Sequence, residues 1–150
     1  MTKKSWTAKG SCLCGKVQFT LWKSDVAKVF KSVAHCHCCM CRKHTGSAFS
    51  TFGEVPIEAI EFKNGEINLK RYKAPENNTI RTFCSNCGSN IMFESPYNRN
   101  DGTIELAVAL VDEFAEGVTY AKPDCHIYTK YKAPWFDIQD LLPQYEEYRK

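Results

Sequence analysis

Apolar and polar side chains alternate along several short segments of the chain. Residues 15–22 carry Val17, Phe19 and Leu21 at every second position, and residues 103–110 repeat the pattern with aliphatic side chains. A period of two places alternate side chains on opposite faces of a strand, so each segment predicts a strand with one buried face. Shorter apolar segments predict further strands at 28–34, 48–52, 57–62, 67–72, 78–83, 89–94 and 124–130.

Turn signals separate these segments, and no long segment has the period of an amphipathic helix. The dipeptide Asn64-Gly65 favours a two-residue hairpin turn, which we expect to join strands at 59–63 and 67–72. Residues 143–150 predict a short terminal helix with Pro143 in its first turn. The whole pattern is typical of a mainly β, antiparallel fold, and we expect residues 1–150 to form a single domain.

Composition adds one anomaly, nine cysteines among 150 residues. A chain of this length can bury a hydrophobic core without disulfide bonds. The high cysteine content therefore indicates a metalloprotein or a disulfide-rich secreted scaffold. The first ten residues contain no apolar run of the secretory type, and no segment approaches the roughly 18 apolar residues of a membrane span. We therefore expect a cytoplasmic, reducing location without a membrane partner, where clustered cysteines bind metal.

Charge is balanced along the chain. The net charge is +3, and twenty basic residues are interleaved with seventeen acidic ones. No stripe of lysines and arginines is present, so the sequence predicts a mixed solvated surface and no nucleic-acid partner.

Four cysteines have the spacing of a structural zinc site. Cys84 and Cys87, followed by a glycine, form a turn of the zinc-knuckle type. Cys12 and Cys14 stand two residues apart, and an extended chain points both side chains to one side. Four thiolates at about 2.3 Å would enclose one zinc ion in a closed tetrahedron.

Three more cysteines, Cys36, Cys38 and Cys41, form a denser cluster. Three protein ligands without an evident fourth are the pattern of a catalytic zinc that keeps a position for water or substrate. Cys39 adjoins Cys38 and Cys125 stands alone, so neither is assigned as a ligand. Two alternatives are open: Cys36 and Cys38 can instead pair with the later C-x-x-C motif, or a histidine can close the second shell. The candidate histidines are His35, His37, His44 and His126.

The ligand type indicates sulfur chemistry. Three thiolates leave a zinc complex with net negative charge, which is a weaker Lewis acid than a three-histidine site. Zinc lowers the pKa of an exogenous thiol and presents the nucleophilic thiolate. We therefore expect a small thiol as substrate, its added negative charge being offset by Arg42 and Lys43, which follow the last ligand.

These motifs closely resemble those of the glutathione-dependent formaldehyde-activating enzyme family, which also includes centromere protein V. The matching segments lie at 10–15, 35–43, 45–49, 83–88, 126–127 and 132–135, so that the resemblance covers about residues 10–135. It implies an Mss4-like fold, built from small antiparallel sheets and short helical segments around two zinc ions. It also implies Cys12, Cys14, Cys84 and Cys87 as structural ligands and Cys36, Cys38 and Cys41 as catalytic ones, which supports the preferred grouping.

The activity implied by this resemblance is the addition of glutathione to formaldehyde. It is classed with the carbon–sulfur lyases, because the reverse reaction breaks a C–S bond. The thiol sulfur would attack the carbonyl carbon, and a nearby donor would protonate the resulting alkoxide. His37, His44 and His126 are candidate donors because histidine titrates near neutral pH. Arg42 and His126 are the predicted site residues beyond the cysteines.

Two other functions are compatible with the sequence. One is a non-catalytic, zinc-stabilised binding module with a filled second zinc shell. The other is chromatin association in the manner of the centromere relative, which the missing basic stripe disfavours. Aromatic side chains that are candidates to line a pocket are Phe49, Phe52, Phe93, Tyr97 and Trp135.

Overall fold

The computed structural model describes residues 4–24, 28–64, 66–119 and 122–149. Within these residues eleven strands form two sheets. In chain order the strands are β1 (Trp6–Ser11), β2 (Gln18–Trp22), β3 (Val33–Cys36), β4 (Ser50–Pro56), β5 (Ile60–Phe62), β6 (Leu69–Lys73), β7 (Ile80–Cys84), β8 (Asn90–Glu94), β9 (Thr103–Ala107), β10 (Val111–Phe114) and β11 (Cys125–Ile127). The other elements are the helices α1 (Cys39–Thr45) and α2 (Pro96–Asp101) and 3₁₀ turns at Ile57–Ala59, Val108–Leu110 and Thr129–Tyr131.

The smaller sheet has the strand order β10-β1-β2-β5, and the larger has the order β11-β3-β4-β9-β8-β7-β6. The strand pairs are antiparallel except β11 with β3, which run parallel. This confirms the predicted mainly antiparallel β fold. Each predicted strand segment overlaps a strand, whereas β1 and β10 were not predicted, and short helical segments were expected without the positions of α1 and α2. Neither helix in the described part of the chain is long and apolar enough to cross a membrane.

The predicted hairpin at Asn64-Gly65 is wrong in its strand pairing. β5 pairs with β2 in the smaller sheet, and β6 pairs with β7 in the larger one. The ring of Phe62 packs edge-on against Phe19 of β2, and Ile60 also contacts the main core. Burial of these side chains therefore outweighs the local turn preference. Gly65 itself lies outside the described residues.

The predicted terminal helix at 143–150 is also wrong over 143–149, and Lys150 lies outside the described residues. This segment instead runs beside β11. The His126 amide donates to the Pro143 carbonyl at 2.8 Å, and the Tyr145 amide donates to the His126 carbonyl at 2.9 Å. These bonds satisfy backbone groups that helical hydrogen bonds would otherwise have used.

The larger sheet uses its two faces differently. Val33, Val55 and Leu106 belong to the main core, on the face that packs towards the smaller sheet. Ala34, Phe52 and Glu105 alternate with them and line an open cleft on the opposite face. The core face is tightly packed, because a Cβ at Gly53 would overlap the Phe30 ring. One face of the larger sheet therefore packs against the main core, and the opposite face lines the cleft.

Candidate metal centres and active site

The first metal centre joins two turns that lie far apart in sequence. Cys12 and Cys14 follow β1, Cys84 ends β7, and Cys87 lies in the turn before β8. The Cys12 and Cys14 sulfurs are 3.6 Å apart, and the Cys14 and Cys84 sulfurs are 3.8 Å apart. All four sulfurs lie within 4.8 Å of one another. Gly88 has a φ of +77°, a left-handed conformation that folds the turn around the cluster.

The geometry of this cluster fits a metal ion. Four sulfurs in a tetrahedron at about 2.3 Å from zinc are about 3.8 Å from one another. The two sulfur–sulfur distances of 3.6 and 3.8 Å match this value and are much longer than the roughly 2.05 Å of a disulfide bond. All nine cysteines are free thiols. The four-cysteine cluster can therefore hold one ion in a closed shell.

The second metal centre lies where β3 meets α1. Cys36 ends β3, Cys38 is the N-cap of α1, and Cys41 lies in the first turn of that helix. The Cys38 sulfur accepts a hydrogen bond from the Cys41 amide at 3.3 Å, so helix capping fixes its position. The three sulfurs lie within 4.8 Å of one another, and no histidine of the described chain joins this group.

Hydrogen bonds among the three sulfurs favour ionisation of a single thiol, whereas metal binding would use all three as thiolates. The hydrogen bond between Cys36 and Cys38 lowers the pKa of Cys38 to about 2 and raises the pKa of Cys36 well above its usual value. Thiolates this close repel one another, so they cannot all ionise without a positive charge between them. A metal ion in the middle would supply that charge.

Arg81 on β7 is the site residue that the sequence analysis missed. Its side chain is 3% exposed, and both terminal nitrogens lie 3.7 Å from the Cys41 sulfur. The guanidinium stacks over the Phe93 ring at 4.9 Å, and no carboxylate of the described residues pairs with it. A buried cation needs a compensating negative charge, which the thiolate cluster provides. The only sequence signal was a basic residue inside a predicted strand.

The three-cysteine cluster opens into a cleft of about 850 Å³. Arg81, Phe52 and Phe93 from the larger sheet line it, and Tyr128 and Tyr131 come from the segment after β11. Burial and the neighbouring Cys36 sulfur raise the pKa of Tyr128. Tyr128 also has a φ of 57°, a left-handed conformation uncommon for residues other than glycine and typical of functional sites. Of the aromatic residues predicted to line a pocket, the cleft is lined by Phe52, Phe93 and Tyr97 and not by Phe49 or Trp135.

The candidate histidines do not line this cleft. Cys36 faces the cleft, so its strand neighbour His35 points to the opposite face and packs against Phe49. The His37 Nε2 atom lies 2.8 Å from His126 Nδ1, and His126 Nε2 lies 3.0 Å from an Asp140 oxygen. Burial lowers the pKa of His37 to about 4. These contacts link the residue that follows β3 to β11 and to the C-terminal segment, away from the cleft.

His44 and the basic residues of α1 also lie outside the cleft lining. His44 packs edge-on against Phe83, and Lys43 is exposed. Arg42 donates a hydrogen bond to the Cys39 sulfur at 3.5 Å. The structure therefore places Arg81, rather than Arg42 or Lys43, against the thiolate cluster.

The two cysteines not assigned as ligands lie outside both metal clusters. Cys39 is exposed at the edge of the cleft. Cys125 is buried against Ala34 and Ile127, and burial raises its pKa to about 11.

Comparison with known proteins agrees with this geometry. Residues 7–131 match the family described as glutathione-dependent formaldehyde-activating enzyme. The fold is similar to the crystal structure of a Rhodobacter sphaeroides protein, with a TM-score of 0.56 and 20% identity over 75% of this chain and 99% of that one. The family match to a mainly β chain confirms the predicted Mss4-like fold. The chain therefore belongs to the glutathione-dependent formaldehyde-activating enzyme family.

Proposed function

We propose that the protein is a zinc-dependent carbon–sulfur lyase that joins a small glutathione-like thiol to an aldehyde such as formaldehyde, or catalyses the reverse reaction. The observation that carries the proposal is the position of the three-cysteine cluster, which lines a cleft and lies beside a buried arginine without a carboxylate partner among the described residues. A purely structural metal site has no need of such a cleft.

Two zinc ions per chain complete this proposal. Cys12, Cys14, Cys84 and Cys87 would hold the structural ion, and Cys36, Cys38 and Cys41 would hold the catalytic one. When bound at the three-cysteine cluster, zinc supplies a Lewis acid that favours the thiolate form of the substrate. None of the nine cysteines forms a disulfide bond, which suits a reducing compartment such as the cytoplasm.

Arg81 offsets the negative charge that a thiolate substrate brings to the cluster. Its guanidinium lies 3.7 Å from the Cys41 sulfur and is held in place by the Phe93 ring. Phe52 and Phe93 make the adjoining floor of the cleft apolar, which keeps water away from the aldehyde. These residues therefore bind and orient the reactants and strengthen the electrostatic interactions between them.

The Tyr128 hydroxyl takes the place of the histidine donors considered from the sequence. The substrate sulfur attacks the carbonyl carbon, the C–S bond forms, and the electron pair of the C=O bond moves to oxygen. A phenol keeps its proton at neutral pH and can give it to this alkoxide, then regain a proton from solvent. Tyr128 lines the cleft, whereas His37, His44 and His126 do not.

Substitution of one cysteine in the three-cysteine cluster tests the proposal. Cys38→Ala is expected to abolish turnover and to lose about one zinc per chain while the fold survives, because only the open site is broken. The readouts are the rate of S-hydroxymethyl adduct formation above the uncatalysed rate, measured by NMR with labelled formaldehyde, together with zinc content and circular dichroism. Retained turnover in Cys38→Ala would refute the proposal. Tyr128→Phe is expected to keep the zinc and to reduce kcat.

Cobalt substitution separates this function from that of a zinc-stabilised binding module. Glutathione added to the cobalt-substituted protein is expected to change the visible absorption bands, because a new sulfur ligand changes the metal shell. Cys38→Ala is expected to lose this change. A spectrum that does not respond to glutathione would favour the binding module.

A further inference from the structure

The end of the cleft away from the thiolate cluster carries charges that the proposed reaction does not use. Glu105 on β9 and Arg149 in the C-terminal segment both line this end, together with Asn98 of α2 and Tyr148. The cleft therefore has a sulfur end at the three-cysteine cluster and a bipolar end at Glu105 and Arg149. A ligand that fills the cleft contacts both ends.

Strand register sets the distance between the two ends. Cys41 belongs to one packed cluster with Phe52 and Ala107, which pair across β4 and β9. Glu105 is two residues before Ala107 on the same strand and the same face, so it lies about 7 Å farther along the sheet. A substrate sulfur near Cys41 would thus lie roughly 7–10 Å from the Glu105 carboxylate.

Glu105 is the carboxylate in this region that lacks a cation. Its neighbour Glu54 pairs with Lys31 at 3.4 Å and accepts a hydrogen bond from Ser32 at 3.4 Å. Glu105 forms no ion pair within the described part of the chain. Burial, reinforced by repulsion from Glu54 directly across the strand pair, raises the pKa of Glu105 to about 7. A cation from outside would relieve this repulsion.

Arg149 offers the opposite charge. One terminal nitrogen of its guanidinium donates to Asp124 at 2.6 Å. Its Nε atom is buried and has no hydrogen-bond acceptor among the residues described. A side-chain hydrogen bond from Asn98 and, to a smaller extent, the Arg149 charge lower the pKa of Glu105. Arg149 forms no ion pair with Glu105, and both residues line the cleft.

We propose that Glu105 and Arg149 bind the zwitterionic α-amino-acid end of the thiol substrate, Glu105 accepting from the ammonium group and Arg149 donating to the carboxylate. This assignment rests on the proposed function, because it uses the sulfur end of the cleft to fix the substrate's orientation. Cysteine is too short, since its nitrogen lies within one residue length of its sulfur, less than about 4 Å. A γ-glutamyl thiol, with eight bonds between sulfur and the terminal nitrogen, spans the cleft.

Direct binding of S-methylglutathione tests this subsite. The probe keeps the amino-acid end but cannot form a thiolate, so its affinity reports the bipolar end independently of turnover. We expect Glu105→Gln to weaken its binding about 10- to 100-fold by calorimetry, as for loss of a charged hydrogen bond. The matched control is Glu113→Gln, which removes an exposed carboxylate on β10 of the other sheet and is expected to bind normally.

A second ligand identifies the group that Glu105 recognises. The analogue with a glutaryl in place of the γ-glutamyl group lacks only the amine. Wild type is expected to bind it about as weakly as Glu105→Gln binds S-methylglutathione, and Glu105→Gln is expected to bind both ligands alike. If wild type binds both ligands equally, or if Glu105→Gln retains the preference for the amine, the assignment is overturned.

The two proposals fail in different ways. Wild type that binds S-methylglutathione through Glu105 but forms the S-hydroxymethyl adduct no faster than the uncatalysed reaction would refute the lyase function and support the subsite. Active wild type with a Glu105→Gln variant unchanged in affinity would refute the subsite alone.

Discussion

Removal of the Arg81 charge is the sharpest test of the electrostatics of the open site. Arg81→Gln keeps a polar side chain, shorter by two atoms, but takes away the cation that lies 3.7 Å from the Cys41 sulfur. Because no carboxylate of the described residues pairs with Arg81, the variant leaves no orphaned acid behind. The expected effect of the substitution is therefore weaker electrostatic stabilisation of the thiolate cluster and of the substrate thiolate bound beside it.

The magnitude follows from the distance. A substrate thiolate beside Cys41 would lie about 6 Å from the guanidinium, and at an effective dielectric constant of about 20 this attraction is about 3 kcal/mol. Its loss corresponds to about 100-fold weaker stabilisation of the bound thiolate. It also raises the pKa of the bound thiol by about 2 units, because one unit corresponds to about 1.4 kcal/mol.

The assay is the pH dependence of kcat/KM for glutathione and formaldehyde, measured with the zinc content of each variant. Arg81→Gln is expected to lower kcat/KM at neutral pH about 100-fold and to shift the acidic limb to higher pH. Arg81→Lys, which keeps the charge, should restore part of the activity. Arg71→Gln is the matched control, since Arg71 is exposed on the neighbouring strand β6. An unchanged profile in zinc-loaded Arg81→Gln would refute the reasoning.

Three further predictions concern stability. Cys87→Ala is expected to lose zinc and cooperative thermal unfolding, because the closed cluster ties β1 to the turn between β7 and β8. Burial and Glu54 raise the pKa of Glu105 from its usual 4.5 to about 7, so the wild-type free energy of unfolding should fall by about 3 kcal/mol as pH rises through this interval. Urea titrations of Glu105→Gln should lack this fall, and a persisting fall would assign it to another group. Gly53→Ala is expected to cost about 1–3 kcal/mol by the same titrations, because the new methyl overlaps the Phe30 ring; unchanged stability would contradict that packing.

The individual C-x-C and C-x-x-C motifs were predictable because metal-ligand spacing is a local property, whereas the approach of Cys14 to Cys84 across seventy residues depends on the fold. Within each C-x-C or C-x-x-C segment, the backbone brings the sulfurs close together whatever the rest of the chain does. Most strands were predictable for the same reason, since the alternation of side chains acts over a few residues. The hairpin at Asn64-Gly65 was predicted wrongly because its strands gain more from burial in two different sheets than from pairing with each other.

The histidine and arginine positions show where this local reasoning ends. His35 neighbours Cys36, but adjacent residues of a strand face opposite ways, so it lies behind the sheet. Arg42 neighbours Cys41, whereas Arg81 lies against it from forty residues away. Nearness in sequence was thus a poor guide to which charges reach the thiolates.

The sequence by itself predicted the two cysteine groups, the mainly β fold class and the family. Only the tertiary structure decided that the three-cysteine cluster lines a cleft, that Arg81 lies against Cys41, and that Glu105 and Arg149 line the same cleft. The physical reason is that ligand spacing and alternation are fixed by a few consecutive dihedral angles. The pairing of distant strands is fixed instead by burial of apolar surface across the whole chain, and this pairing chooses which side chains meet.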